Sequence, residues 1–190
     1  MKNISIKTPR LLIREFETND IAAIHRIATK DGFVFYNLDD SFASAARFVT
    51  RAMALQKPDV QTGLRHSFKM AVECRDKPDE CIGYVAFDDI GTGMEGTPDI
   101  GYLIDPVHQK KGFAKEAMHA LMVHCYSTYH DLDTTWLTVH PDNIASQKVA
   151  HSLSFTQTGT KVIQTSRGTE PRLVFKTDRY RFMAPKLAAA

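Results

Sequence analysis

Little in this sequence marks an extreme environment or an extreme partner. Three cysteines, an odd and sparse set, do not build a disulfide framework, and a reducing cytoplasm is the expected compartment. No stretch approaches the roughly 20 consecutive apolar residues that cross a bilayer. The opening six residues hold no apolar run of signal-peptide length, so no membrane partner is expected. Charge of one sign is also missing. Lys and Arg number 24 against 22 Asp and Glu, a net charge of +2. With no basic excess to neutralise a run of phosphates, nucleic acid is not an expected partner either. What is present is an ordinary balance, 43% hydrophobic and 24% charged over 190 residues. That is too apolar for a disordered chain and about right for one folded domain. Residues 186–190, Lys-Leu-Ala-Ala-Ala, read as translated cloning sequence, which leaves a single domain over residues 1–185.

The apolar spacing alternates between two periods. Residues 11–16 read as a first strand. Thr18, Asn19 and Asp20 offer N-caps for a helix with Ile21, Ile24, Ile27 and Ala28 on one face, broken at Gly32. A second helix is expected from Asp40-Ser41, carrying Phe42, Val49 and Met53 and ending before Pro58. Phe68, Met70, Val72 and Cys74 then alternate with less apolar neighbours. With a turn at Lys77-Pro78-Asp79 and a return over residues 81–87, they form an antiparallel hairpin, the second and third strands. The Gly-rich residues 91–96 lead to a fourth strand at 100–104, stopped by Pro106. A helix follows Gly112, stepping through Ala114, Leu121, Cys125 and Tyr129. A fifth strand at 134–139, a short helix at 144–153 and closing strands near 156–164 and 173–175 complete the chain. This order predicts an α+β fold around one mixed sheet.

Two stretches carry chemistry. In the first, a strand ends and a helix begins across Gln109-Lys110-Lys111-Gly112-Phe113-Ala114. A helix start presents unpaired N–H groups and the positive end of the helix dipole. Gly112 and Ala114 let an anion approach the main chain, and Lys110, Lys111 and Lys115 add positive charge. Taken alone, the loop fits a plain turn with solvated lysines equally well. It lacks the G-x-x-x-x-G-K-[ST] spacing of a nucleotide P-loop. In the second stretch, a strand leads into Asn143, with Ser146 three residues on. Burial of Ala145, Val149 and Leu153 would place Ser146 on a neighbouring flank, able to face a cleft. Asn143 also fits an N-cap, and Ser146 a surface serine. The histidines, His140 among them, show no metal spacing with a carboxylate partner, and no metal is expected. Cys74 and Cys81 read as buried free thiols.

In this order and spacing the two stretches resemble the GNAT superfamily of acetyl-CoA-dependent N-acetyltransferases. Residues 109–114 look like its Q/R-x-x-G-x-G/A pyrophosphate loop, and residues 143–155 like its N-x-x-S-x-x-V-A-x-x-x-G-F segment. Residues 8–14, Thr-Pro-Arg-Leu-Leu-Ile-Arg, resemble the opening of the ribosomal-protein alanine N-acetyltransferase-like branch. Ser154 departs from the pattern, standing where the family has glycine.

The resemblance implies a mostly antiparallel sheet flanked by helices, splayed between the fourth and fifth strands. It implies pantetheine binding by main-chain groups of Leu103 and Ile104 and by Asn143. The pyrophosphate would be held by Gln109, Lys110, Lys111, Gly112, Phe113 and Ala114. The implied activity is direct acetyl transfer from acetyl-CoA to a primary amine, either a protein N-terminus or a small molecule, in a ternary complex. Ser146 would be the proton donor to the departing thiolate. Asp99, with Glu73, Asp88 and Asp89 as alternatives, would be the base. Residues 33–60, with Phe33, Phe35, Tyr36, Asp39 and Asp40, would shape the acceptor pocket of a monomer or homodimer. A second reading is a domain that binds acyl-CoA as a sensor without turnover.

Overall fold

The period-two stretches pair into one eight-stranded sheet in the computed structural model, which describes residues 4–30, 40–90, 98–165 and 168–184. The elements are β1 (Ser5–Lys7), β2 (Leu11–Glu15), α1 (Asp20–Ala28), α2 (Phe42–Ala54), β3 (Phe68–Cys74) and β4 (Cys81–Asp88). Then come β5 (Asp99–Ile104), a 3₁₀ turn (Pro106–His108), α3 (Phe113–Thr128), β6 (Thr134–Val139), α4 (Ile144–Ser152), β7 (Thr156–Thr165), β8 (Gly168–Asp178) and α5 (Arg179–Met183). The strand order is β1-β2-β3-β4-β5-β6-β8-β7, antiparallel throughout except between β5 and β6. This is the mixed α+β sheet that the alternation predicts.

The chain ends hold more structure than the spacing suggests. β1 is three residues long, with only Ile6 partly buried, too short for any period to register. β8 extends well beyond residues 173–175 because β7 pairs with it from Thr156–Lys176 to Thr165–Gly168, through Glu170 and Pro171. A charged residue next to a proline hides a strand from pattern reading.

Alternation along the strands sorts side chains onto two faces. Ile13, Met70, Val72, Ile82, Val85, Phe87, Ile100, Tyr102 and Ile104 pack with Ala117, Met118, Leu121 and Met122 of α3. The opposite face, through Ala71 and Cys81, meets Ile24 of α1 and Ala45, Val49 and Ala52 of α2. Each fully buried aliphatic or aromatic side chain here contributes about 1.5–3 kcal/mol. Cys74 and Cys81 lie in these two different clusters, and all three cysteines are free and buried. Ser41 caps α2 by accepting from the Ser44 N–H at 3.1 Å. Arg14 ties α1 to the sheet, bonding Asp20 at 2.8 Å and Glu73 at 2.9 Å.

Two backbone details shape the centre of the molecule. Val72 opposes Gly83 while Glu73 opposes Cys81, which leaves Ile82 as an extra residue and bends β4. At Gly83 a Cβ would lie 2.0 Å from the Leu103 carbonyl oxygen, so only glycine lets β4 and β5 approach there. Beyond α4, Ser154 adopts φ 69° in place of glycine. Its N–H donates to His151 O at 3.0 Å, and Phe155 N–H donates to Ala150 O at 3.0 Å. The turn therefore keeps the geometry that glycine would give, at a cost of about 1–2 kcal/mol for a left-handed residue with a Cβ. Gly83→Ala should lower stability by more than about 2 kcal/mol, because main chain must move to admit the methyl group. Urea denaturation of the two proteins measures it.

Candidate active site

β5 and β6 run parallel but pair at one position, Asp99 with Trp136, where the Trp136 N–H also donates to Pro98 O at 3.1 Å. β4 pairs with all of β5, and β8 with all of β6. Beyond Asp99 the two strands therefore part, each held to its outer neighbour. The Leu103 carbonyl points to Gly83 on the β4 side, and the Asp105 N–H donates to Ile82 O at 2.8 Å. Strand alternation then turns the main-chain groups of Tyr102 and Ile104 towards the gap, and those of Leu103 away from it. Of the two residues expected to offer main-chain groups here, Ile104 turns them towards the gap, while Leu103 turns them to β4 and Tyr102 stands in its stead. The Ile104 carbonyl accepts from Gln109 Nε2 at 2.9 Å, which fixes the start of the loop at the mouth of the gap.

The loop itself is strained and braced. Lys110 adopts φ 61°, and Gly112, the N-cap of α3, φ 80°. Among the described residues no side chain caps α3, so the first-turn N–H groups of Phe113 and Ala114 are presented at the helix start. Arg10 braces the loop from outside. Its guanidinium donates to Lys111 O at 2.9 Å, pairs with Glu116 at 2.6 Å and lies 4.8 Å over the Phe113 ring. Glu116 also accepts from Thr8 Oγ1 at 2.6 Å. Burial alone would raise the Glu116 carboxyl, but the hydrogen bonds from Thr8 and Arg10 hold it below the usual range. The Thr8-Pro9-Arg10 motif is thus the clamp on this loop.

Asp105 braces the turn that leads into the loop. Fully buried, it accepts from Lys30 at 2.6 Å, Arg26 at 3.1 Å and the Val107 N–H at 3.1 Å. Burial opposes its ionisation most strongly, but Lys30, the Val107 N–H and Arg26 together outweigh burial and hold the carboxyl below its ordinary range. Sequence reasoning passed over Asp105; an acid followed by proline at a strand end was the available signal.

Asn143 is the N-cap of α4, its side-chain oxygen accepting from the Ser146 N–H at 3.0 Å, which orients the amide so that its nitrogen is the donor end. The buried residues of α4 and its C-cap are Ala150 and Leu153, with Ala145 exposed. This corrects the expected face. Ser146 sits one helical turn before Ala150 and so points inward. There its Oγ meets the Tyr102 hydroxyl at 2.7 Å, and Tyr102 also donates to Ser146 O at 3.1 Å. Burial pushes the Tyr102 phenol up to about 12, against the bond to Ser146, so it stays protonated at neutral pH. Tyr102 is the residue that sequence reading missed, although it shares the inward face of β5 with Ile100 and Ile104.

Asp99 lies three residues from Tyr102 on β5, roughly 10 Å along the strand and on the opposite face. It is paired across β4 with Asp88. Lys69 bonds Asp88, and Lys161 lies 3.8 Å over the Trp136 ring. Burial is the main influence on Asp99, with Asp88 adding to it and Lys161 opposing; the carboxyl is pushed up to about 7. Phe48 of α2 and Tyr84 of β4, 4.8 Å apart, are on this same face. Of the acceptor-pocket residues, Phe33, Phe35, Tyr36 and Asp39 lie outside the described residues. His140 Nδ1 accepts from the Asp142 N–H at 3.2 Å within its own turn. Among the described residues, no group of three His, Cys, Asp or Glu side chains is placed to hold a metal. A cavity of about 960 Å³ lined by Tyr126, Asp133, Arg179 and Met183 lies at the other end of α3, about 20 Å from the loop.

The sequence profile described as the acetyltransferase (GNAT) domain matches residues 10–156. The uncharacterized N-acetyltransferase YnaD of Bacillus subtilis (strain 168) is 30% identical over 156 residues, covering 81% of this chain and 84% of the relative. An acetyltransferase (GNAT family) from Bacillus anthracis superposes with a TM-score of 0.75 at 22% identity, covering 92% of this chain and 98% of that one. RimL, a ribosomal L7/L12 alpha-N-protein acetyltransferase solved with coenzyme A, superposes with a TM-score of 0.71 at 20% identity, covering 92% and 98%.

The raised Asp99 carboxyl has a consequence for stability. Its folded value, about 7, exceeds the ordinary 3.8. Between those values the native protein holds a proton that the unfolded chain has released, so stability falls as pH rises from about 4 to about 7. Asp99→Asn should therefore be more stable than the parent at pH 8, by at most ~4 kcal/mol, with the difference fading towards pH 4. Urea midpoints at the two pH values test this.

Proposed function

Because the chain belongs to the GNAT family of acetyltransferases, we propose that it transfers the acetyl group of acetyl-CoA directly to a primary amine in a ternary complex. The observation that carries this reading is the parting of β5 from β6 beside an uncapped, left-handed helix start. In this reading the first-turn N–H groups of α3, with Gln109, Lys110, Lys111 and Gly112, hold the pyrophosphate. Main-chain groups of Tyr102 and Ile104 pair with the pantetheine arm as an added strand would. The Asn143 amide nitrogen donates to the same arm. Acetyl-CoA supplies an activated thioester carbonyl.

The chain's own residues then manage two protons. Asp99, on the α1–α2 face, takes one proton from the acceptor ammonium, and the freed lone pair forms the C–N bond. The Tyr102 N–H stabilises the oxyanion that develops at the carbonyl. As the C–S bond breaks, Ser146 passes a proton to the thiolate and is resupplied through the Tyr102 hydroxyl by the second proton leaving the nitrogen. The Asp99 proton returns to solvent, so each turnover yields amide, thiol and one proton. Proton donor and acceptor stand on opposite faces of one strand, which suits two substrates arriving from opposite sides. The acceptor is a protein N-terminus, as in the name of RimL, or a small amine.

Ser146→Ala should lower kcat by roughly 10²–10³ while leaving acetyl-CoA affinity within a few-fold, since acid–base help is worth about 10²–10⁴. Thiol release against a panel of amines and N-terminal peptides measures kcat. An unchanged kcat removes Ser146 from the mechanism. Gly112→Asp should abolish CoA binding in calorimetry, because it adds a negative charge and a Cβ at φ 80°. Tight CoA binding with no transfer to any amine would favour the sensor reading instead.

A further inference from the structure

We propose that Asp88, anchored by Lys69, is a positioning residue for the acceptor: its unbonded oxygen and that of Asp99 together hold the incoming nitrogen through two N–H bonds. The inference rests on the reading of Asp99 as the base and assigns a role that this reading leaves open. Asp88 and Asp99 are directly opposed in the β4–β5 ladder. Opposed residues of an antiparallel pair share a face, with Cβ atoms about 4.5–5.5 Å apart. Lys69, two strands away from Asp99 on β3, engages Asp88 through Oδ2 alone. The Oδ1 atoms of both Asp88 and Asp99 are buried, and neither has a hydrogen-bond partner among the described residues.

Two carboxyl groups opposed in one ladder, each with a buried oxygen left unsatisfied, are an unfavourable arrangement unless a donor comes between them. The charged groups acting on Asp99 are Asp88 on β4, Lys69 on β3 and Lys161 on β7. Lys69 is committed to the other oxygen of Asp88, Oδ2, and Lys161 is drawn over Trp136. What completes the pair is a nitrogen bearing at least two hydrogens. Asp99 removes one of its protons. Asp88, ion-paired with Lys69, holds a second N–H while the lone pair turns to the thioester carbonyl.

The test is thiol-release kinetics of the full chain with N-terminal peptides and primary alkylamines between pH 5.5 and 9, for the parent, Asp88→Asn and Lys69→Met. Asp88→Asn should raise the amine KM at least about tenfold, leave the acetyl-CoA KM unchanged and move the acid limb of the profile down by ~0.5–1 unit, as a neighbouring negative charge is lost. Lys69→Met should move that limb up, because a neighbouring positive charge is lost. A merely structural role would not shift the two in opposite directions. Should Asp88→Asn not fold, the sign of the shift in Lys69→Met decides alone. Unshifted limbs or shifts of one sign, with turnover by the parent intact, overturn the inference and leave Asp99 as base. A parent that binds acetyl-CoA but acetylates no amine overturns that earlier reading, and this one with it.

Discussion

Main-chain hydrogen bonding in the middle of the sheet stops after a single rung. Asp99 and Trp136 pair, and from there β5 follows β4 while β6 follows β8. A strand edge left without a neighbour in a sheet interior exposes polar groups that must find partners. One is met locally, where Gln109 bonds the Ile104 carbonyl, and the remainder form a surface that an extended, amide-bearing arm can complete. The bulge at Ile82 and the close approach at Gly83 keep β5 on the β4 side, so the gap is built into the packing of the two strands.

The two sides of that gap differ in chemistry because of strand alternation. Tyr102 and Ser146 meet among apolar side chains of the α3 face, where burial keeps the phenol protonated and the two hydroxyls share a hydrogen bond. Asp99 faces the other way, buried beside Asp88, where an ionised carboxylate is disfavoured. The stability lost by burying it is the same property that gives it an affinity for protons near neutral pH.

Around the gap, unfavourable local conformations are fixed by charge. Lys110 and Gly112 are left-handed; Arg10 and Glu116 grip the loop between them from outside, and Asp105 with Lys30 and Arg26 fixes the turn that leads into it. These ion pairs are not general stabilisers of the sheet. They hold one loop in one shape, the use for which partly buried charge is best suited.

Periodicity and turn residues determined much by themselves: the α+β order, most strands, the helix beginning after Gly112, and the Ser41 cap all follow from local rules acting within a few residues. The order of two motifs was enough to suggest the family. What local rules do not reach is the consequence of pairing. Whether Leu103 or Tyr102 faces the gap depends on which side β4 lies. Whether Ser146 faces out or in depends on how α4 rolls against β5. That Asp88 opposes Asp99 is a matter of register between strands separated by a connection of ten residues. Each of these is decided by contacts between residues distant in the chain, where hydrogen-bond direction and burial are set by the neighbouring strand and not by the residue itself.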